Sequence, residues 1–383
     1  MVRRVRAGRA LGAVAREFGV GVSTVALWVA RSAGQRLDRF SFVDHKRGRA
    51  WNRVDPALEH RILQTRAQLR EHSVLGEYGA DAIERALQLP PSALVSRATI
   101  NRVLKRHGAT DAHGRTRRPA PPKGWYLPAA AAGHSEVDCF DFIEDLKIAG
   151  GPLVNVLTSK SLHGALTDAW ILDKLSAHGC MARLLGRWQR DGLPGYAQFD
   201  NDPVFQGTHR FADAVGRVSR LCLALGVIPV FVPPLEHGMQ NLIESFNGLW
   251  QAKVWQRHHV ASVAQLQACS DAYIAAHRAR TAETAEAAPS RQRMPQGFEL
   301  DLHAPLRGQM IFIRRTTDNG QVGLLGRRFA VSPDWLNRLV RCEVDFDQHC
   351  IRCFALRRRV PAEQPLLNTL AYHRPDRPFK GEL

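Results

Sequence analysis

The chain has 383 residues, 45% apolar and 23% charged, which is enough for two or three folded units and unlike a disordered or collagenous polymer. Lys and Arg number 53 against 36 Asp and Glu, a formal charge of +17, which points to a polyanionic partner such as nucleic acid. No apolar run approaches the roughly 20 residues of a membrane span, and the Arg-rich start lacks a secretory pattern, so no membrane association is expected and the cytoplasm is the expected compartment.

The charge is uneven. Residues 1–124 carry 24 basic and 10 acidic side chains, residues 125–306 carry 15 and 18, and residues 307–359 carry 11 and 5. Two basic flanks thus enclose a slightly acidic middle, where carboxylates kept beside a polyanion suit a divalent cation. The seven cysteines are scattered and odd in number, which argues for reduced thiols. The Cys350–Cys353 pair has no second pair and reads as strand packing.

Along residues 10–31 a helical pattern breaks at Gly19 and Gly21 and resumes with Ser23 as the expected N-cap. Val25, Trp28 and Val29 form its inner stripe, leaving Thr24 and Arg31 outside it. A second unit follows: a helix opened by Asp55-Pro56, a short helix over 80–88, and SRATINRVLKRHG opening at Ser96. There Ile100, Val103 and Leu104 face inward, while Arg97, Asn101, Arg102, Lys105 and Arg106 are available to DNA. Helix, short turn, basic helix, twice in tandem, predicts two helix-turn-helix units, residues 1–50 and 51–108. Residues 109–124, rich in Pro and Arg, read as a linker.

The middle alternates strands and helices, predicting an α/β layer structure. Strands are expected at VDCFDFIEDL, PLVNVLTSK, GYAQFD and IPVFVPP, and helices over 171–191, 207–226 and 239–257. Three acids stand out: Asp138 within a strand, Asp200 at a strand end and Glu244 on a helix. A carboxylate within an apolar strand is costly unless it is paired or bound to metal.

VDCFDFIEDL, QFDNDPVF and LGVIPVFVPPLEHGMQNLIESFNG resemble the motifs of the DDE integrase/transposase superfamily, most closely IS481/IS3-like insertion-sequence transposases. The resemblance spans essentially the whole chain. It implies an RNase H-like core over 125–285, a linker over 286–306, a small SH3-like β-barrel over 307–360 and a flexible tail over 361–383. It also implies two Mg²⁺ (or Mn²⁺) ions held by Asp138, Asp200 and Glu244, double-stranded DNA as partner, a homo-oligomer on DNA, a nucleoid-associated location, and strand cleavage followed by 3′-hydroxyl transfer. A DNA-binding regulator, or a decayed transposase using the core as a scaffold, is the rival expectation.

Two assignments have neighbours. Glu236 has 35 residues between itself and Asp200, the family's literal spacing, but Glu244 sits on the helix and is followed three residues later by Asn247, as in the family. Asp138 and Asp141 lie three apart, so on a strand they face opposite ways and only one reaches the site. Asp138 is preferred because it follows Ser135-Glu136-Val137; Asp141 is the alternative. The family's Asp-Asn-Gly reads Asp200-Asn201-Asp202 here. Asn247 and Lys253, on the Glu244 helix, are expected to touch DNA, and His163 and His237 are weaker candidates for phosphate contact. Basic residues of the last third, such as Arg314, Arg327 and Arg328, are expected to bind phosphate without sequence preference.

Overall fold

A computed structural model describes residues 1–40, 54–73, 77–90, 95–110, 121–208, 211–234, 236, 238–358 and 360–375. His237, part of the 109–124 linker and part of the C-terminal tail therefore lie outside the described residues. The chain divides into two compact units, residues 1–61 and 62–383.

In the first unit, α1 (Val2–Arg6), α2 (Leu11–Phe18) and α3 (Val22–Arg31) pack around Val14, Ala15 and Val25. Gly19, at φ +62°, ends α2 in the left-handed region that glycine adopts without strain, and α3 departs at 112° to it. The N-cap of α3 is Gly21 and not Ser23, which lies inside the first turn. α4 (Pro56–His72) begins in this unit and continues into the second.

In the second unit, α5 (Ala80–Leu87) and α6 (Arg97–Arg106) bury Ile83, Leu87, Ile100, Val103 and Leu104. Ser96 caps α6 by accepting from the Thr99 amide at 3.3 Å. Arg257 donates to the Glu71 carbonyl at 2.9 Å, and Lys253 lies 5.7 Å from the Tyr78 ring. The segment expected as a second helix-turn-helix therefore rests on the following α/β body rather than standing apart.

That body is built on a nine-stranded mixed sheet. β1 (Val137–Lys147), β2 (Leu153–Ser161) and β3 (Thr167–Leu172) are antiparallel neighbours. β4 (Tyr196–Phe199) runs parallel to β1, and β5 (Ile228–Phe231) parallel to β4. On one face, α8 (Ala177–Asp191) and α10 (Arg217–Ala224) pack Trp188, Leu184 and Leu221 against Phe140 and Phe199. On the other, α11 (Asn241–Trp250), a π-helical turn (Gln251–Trp255) and α12 (Val263–Arg280) pack Phe246, Trp250 and Tyr273 against Val137, Cys139 and Ile143. Short helices α7 (Pro128–Ala131), α9 (Pro203–Gln206) and α13 (Ala282–Glu286) complete the layers.

Four expectations are corrected. β3 occupies the start of the segment expected as helix over 171–191, and α8 starts only at Ala177, behind its Ser176 cap. The helix expected over 207–226 reaches only from Arg217 to Ala224: Gly207 packs backbone to backbone on Gly216, so closely that a Cβ at Gly207 would lie 2.6 Å from the Gly216 nitrogen, and Phe211 is left 64% exposed. The last third is not a separate barrel. β6 (Gln309–Arg315) pairs with β5 at Val230 and Phe231, and β9 (Leu339–Asp345) and β10 (Cys350–Ala355) extend the same sheet, leaving β7 (Gln321–Leu324) and β8 (Arg327–Ala330) as a separate hairpin. The expected tail contributes β11 (Leu366–Ala371), paired with β10. Among the described residues no single helix is long and apolar enough to cross a membrane.

Candidate active site

The two faces of β1 decide which aspartate meets the other acids. Asp138, like Phe140, points to the α8 face and is fully buried there. Arg187 Nε donates to it at 3.0 Å, Arg291 Nη2 at 2.6 Å, Ser161 Oγ at 2.8 Å and Trp188 Nε1 at 3.2 Å. Burial alone would raise the Asp138 carboxyl, but the guanidiniums of Arg187 and Arg291 outweigh it and hold it well below the usual carboxylate range. The preferred first acid is thus corrected: Asp138 is the anchor of a buried ionic cluster, with its oxygens saturated, and does not reach the cleft. Arg187 and Arg278 extend the cluster to Asp168 and Asp191.

Asp141 points to the opposite face, toward α11. Asn247 Nδ2 donates to Asp141 Oδ2 at 2.8 Å, while Asn247 Oδ1 accepts from Thr158 Oγ1 at 2.6 Å. Burial, then the charge of Asp200, then that of Glu244 push the Asp141 carboxyl up to about 7, against the hydrogen bonds from the Phe142 amide and Asn247. Parallel pairing of β4 beside β1 carries Asp200, just beyond β4, to the same place. Burial and the charges of Asp202 and Glu144 push the Asp200 carboxyl up to about 6, while the Asp202 amide, donating at 2.9 Å, opposes the rise. Asp202 caps α9 through the Val204 amide at 2.7 Å.

Glu244, exposed on the first turn of α11, lines a cleft of about 390 Å³ with Asp200, Asn201, Glu236 and Gln240. Glu236 shares the cleft but is held by Arg315. Asn201 is fixed between the Val232 carbonyl, to which it donates at 2.7 Å, and Arg314 Nη2, which donates to it at 2.7 Å. Arg314, expected on a barrel surface, is instead buried beneath the cleft.

The remaining candidates separate. Asn247 is 7% exposed and committed to Asp141 and Thr158, so it positions an acid instead of meeting DNA. Lys253 is half-buried over Tyr78. Arg97 is tied to Glu84 at 2.6 Å and to Asp81 at 2.9 Å, whereas Asn101, Arg102, Lys105 and Arg106 are exposed on α6. On α3, Thr24 is half-buried and Arg31 is exposed, 5.1 Å from the Trp28 ring. His163 bonds the Ala130 carbonyl at 2.9 Å, on a neighbouring turn. Cys353 is buried with its sulfur 3.6 Å from that of Cys342.

Among the described residues no three His, Cys, Asp or Glu side chains already stand as a metal-holding group. The chemistry of the cleft nevertheless fits a hard cation: Asp200, Glu236 and Glu244 offer carboxylate oxygens there, and burial above all, with the charges of neighbouring acids, raises Asp141 and Asp200 toward neutrality.

No protein-family profile and no curated protein matches the chain. Among solved structures, a simian T-cell lymphotropic virus intasome in complex with PP2A regulatory subunit B56 gamma is similar over 69% of this chain and 88% of that one, at 11% identity and a TM-score of 0.34. The catalytic core domain of BIV integrase is similar over 36% and 80%, at 17% identity and 0.27. The HTLV-2 integrase catalytic core in complex with magnesium, in a trimeric form, is similar over 38% and 80%, at 11% identity and 0.25. These are distant, partial likenesses, and the functional reading rests on the carboxylates themselves.

Proposed function

We propose that the chain is a polynucleotidyl transferase of the DDE type, an insertion-sequence transposase with an RNase H-like core, and that Asp141, Asp200 and Glu244 are its acids. The observation that carries this reading is the convergence of three carboxylates drawn from the middle of β1, the end of β4 and the first turn of α11: Asp200 and Glu244 line one cleft, and their charges act on Asp141, which Asn247 of α11 holds. The order β3-β2-β1-β4-β5, with an antiparallel trio followed by two strands parallel to the first, supports the RNase H-like assignment. The basic first third supports binding of element ends through the exposed residues of α3 and α6.

Asp141, Asp200 and Glu244 would hold two Mg²⁺ or Mn²⁺ ions, which when bound activate an attacking oxygen and stabilise a leaving one. The chain's own residues prepare the site. Asn247 fixes the Asp141 carboxylate, the Asp202 amide fixes Asp200, and Arg314 with Asn201 hold the cleft wall. Water first displaces a 3′-hydroxyl at the element end; that hydroxyl then displaces a second one from a target phosphodiester. Each step exchanges one P–O bond for another, without a covalent protein intermediate, so positioning carries much of the catalysis.

The test is cleavage and joining of a labelled duplex bearing the element's flanking ends, with Mg²⁺ or EDTA, for wild type and Glu244→Gln. Metal-dependent joining lost in the variant, with DNA binding kept, supports the transferase. Salt-sensitive binding without chemistry in either protein overturns it in favour of a regulator or decayed enzyme.

A further inference from the structure

Glu244 sits on the first turn of α11, where the Gln240 carbonyl accepts from the Ile243 and Glu244 amides, each at 3.0 Å, but among the described residues no side chain caps the start of this helix. Helix ends without a cap fray, so the hold on the chain just before Gln240 decides where Glu244 stands. The polar hold there is on Met239, whose carbonyl accepts from Gln198 Nε2 at 3.2 Å. Gln198 is 2% exposed within β4, two residues before Asp200. Its other amide atom, Oε1, accepts from the Tyr126 hydroxyl, which also lies 3.4 Å from the Met239 carbonyl oxygen. Tyr126 is buried and seated in turn: Arg341 Nη1 donates to its carbonyl at 3.0 Å, and Gln364 Nε2 to the Trp125 carbonyl at 2.7 Å.

A glutamine side chain in the interior of a strand is unfavourable unless both ends of its amide are satisfied. Here one end bonds Tyr126 and the other the turn into α11, so the amide has one orientation and ties the strand that leads to Asp200 to the helix that carries Glu244. We infer that Gln198 and Tyr126 are positioning residues that fix the separation of these two carboxylates, Gln198 directly and Tyr126 by orienting Gln198. The inference rests on the transferase reading only for what the carboxylates do. It makes the segment that follows the Pro-rich linker a support of the site and more than a tether.

The experiment compares the full-length wild type with Tyr126→Phe and with the double variant Tyr126→Phe/Gln198→Leu. Hydrogen exchange of peptides covering residues 239–246, read by mass spectrometry without DNA or metal, should speed up about tenfold in both, the order expected for one buried hydrogen bond lost. Peptides of β1 and β2 should keep their protection. The melting temperature should fall in the single variant, which leaves the Gln198 oxygen without a donor, and recover in part in the double variant, where that oxygen is gone. A role in folding alone would have the exchange recover with it. Exchange near Glu244 that both variants leave unchanged, or that recovers with the melting temperature, overturns the inference. In the cleavage assay, the Mg²⁺ needed for half-maximal rate should rise about tenfold in both variants, with the KM for duplex unchanged; an unchanged Mg²⁺ requirement also overturns it. Because exchange needs no cleavage, a wild type that never cuts DNA refutes the transferase reading, while faster exchange in the variants leaves the positioning roles standing. Normal cutting with unchanged exchange removes the positioning roles alone.

Discussion

Asn247 holds Asp141 through a 2.8 Å hydrogen bond while its carbonyl oxygen is held by Thr158, so the amide has one orientation and the carboxylate one position. Replacing Asn247 with Ala frees Asp141 without removing an acid. By analogy with partners that orient metal ligands, strand cleavage should fall about 10–100-fold, with the apparent requirement for Mg²⁺ rising. A titration of cleavage against Mg²⁺ checks this; an unchanged metal requirement would show that Asn247 only packs.

Asp138 and Asp141 should separate cleanly by substitution. Asp141→Asn is expected to abolish cleavage, by about two orders of magnitude or more, with little loss of folding stability. Asp138→Asn is expected to weaken folding while molecules that do fold still cut DNA. Thermal melts alongside cleavage per folded molecule decide it, and the reverse pattern would restore Asp138 as the acid.

Arg187 is fully buried between Asp138 and Asp168. Arg187→Met leaves both carboxylates less compensated in the interior, and destabilisation of about 3–5 kcal/mol is expected. Urea unfolding monitored by tryptophan fluorescence, with Trp188 against the same cluster, measures it. A loss under about 1 kcal/mol would mean that Arg291 and Arg278 suffice.

The two faces of β1 should respond oppositely to pH. Asp138 has a depressed folded pKa, so its stabilising contribution is present above the ordinary carboxylate range near pH 4 and is lost as the pH falls below it. Asp141 and Asp200 have raised folded values, about 7 and about 6, so their contribution is full below about pH 4 and is lost as the pH rises through 6 to 7. Without metal, the melting temperature should therefore decline between about pH 4 and 7 and level off above. Asp141→Asn should flatten that decline, and so should added Mg²⁺ if the cleft holds it. Differential scanning fluorimetry across this range provides the check, and a wild-type curve indifferent to both would refute the coupling.

Local pattern revealed much of this molecule. Ser96 as a cap, the inward stripe of α6, the strands at 137–147 and 153–161, and the placing of Asp200 at a strand end and Glu244 on a helix all follow from short-range chemistry. Alternation along β1 also established that only one of Asp138 and Asp141 could reach the acids. Which one was not legible, because the choice depends on Arg187 and Arg291, 49 and 153 residues away. The same holds for β6: its short apolar run Met310–Ile313 specifies a strand, but nothing local says that it pairs with β5. The break at Gly207 was masked by an apolar spacing from Phe211 to Leu225 that imitates a helix, while the contact that prevents it is made by two glycines without side chains.

That β5–β6 pairing limits how the chain can be taken apart. Were residues 307–383 an appended module, they could be deleted or exchanged with those of a relative and the core would survive. Instead their removal strips the neighbour from Val230 and Phe231 and opens a sheet edge whose backbone amides and carbonyls invite pairing with other chains. It also removes Arg314, which fixes Asn201 one residue from Asp200. The boundary at which evolution or an engineer could graft a new C-terminal part onto this protein therefore lies beyond β6, and a chimera joined earlier inherits an unfinished sheet.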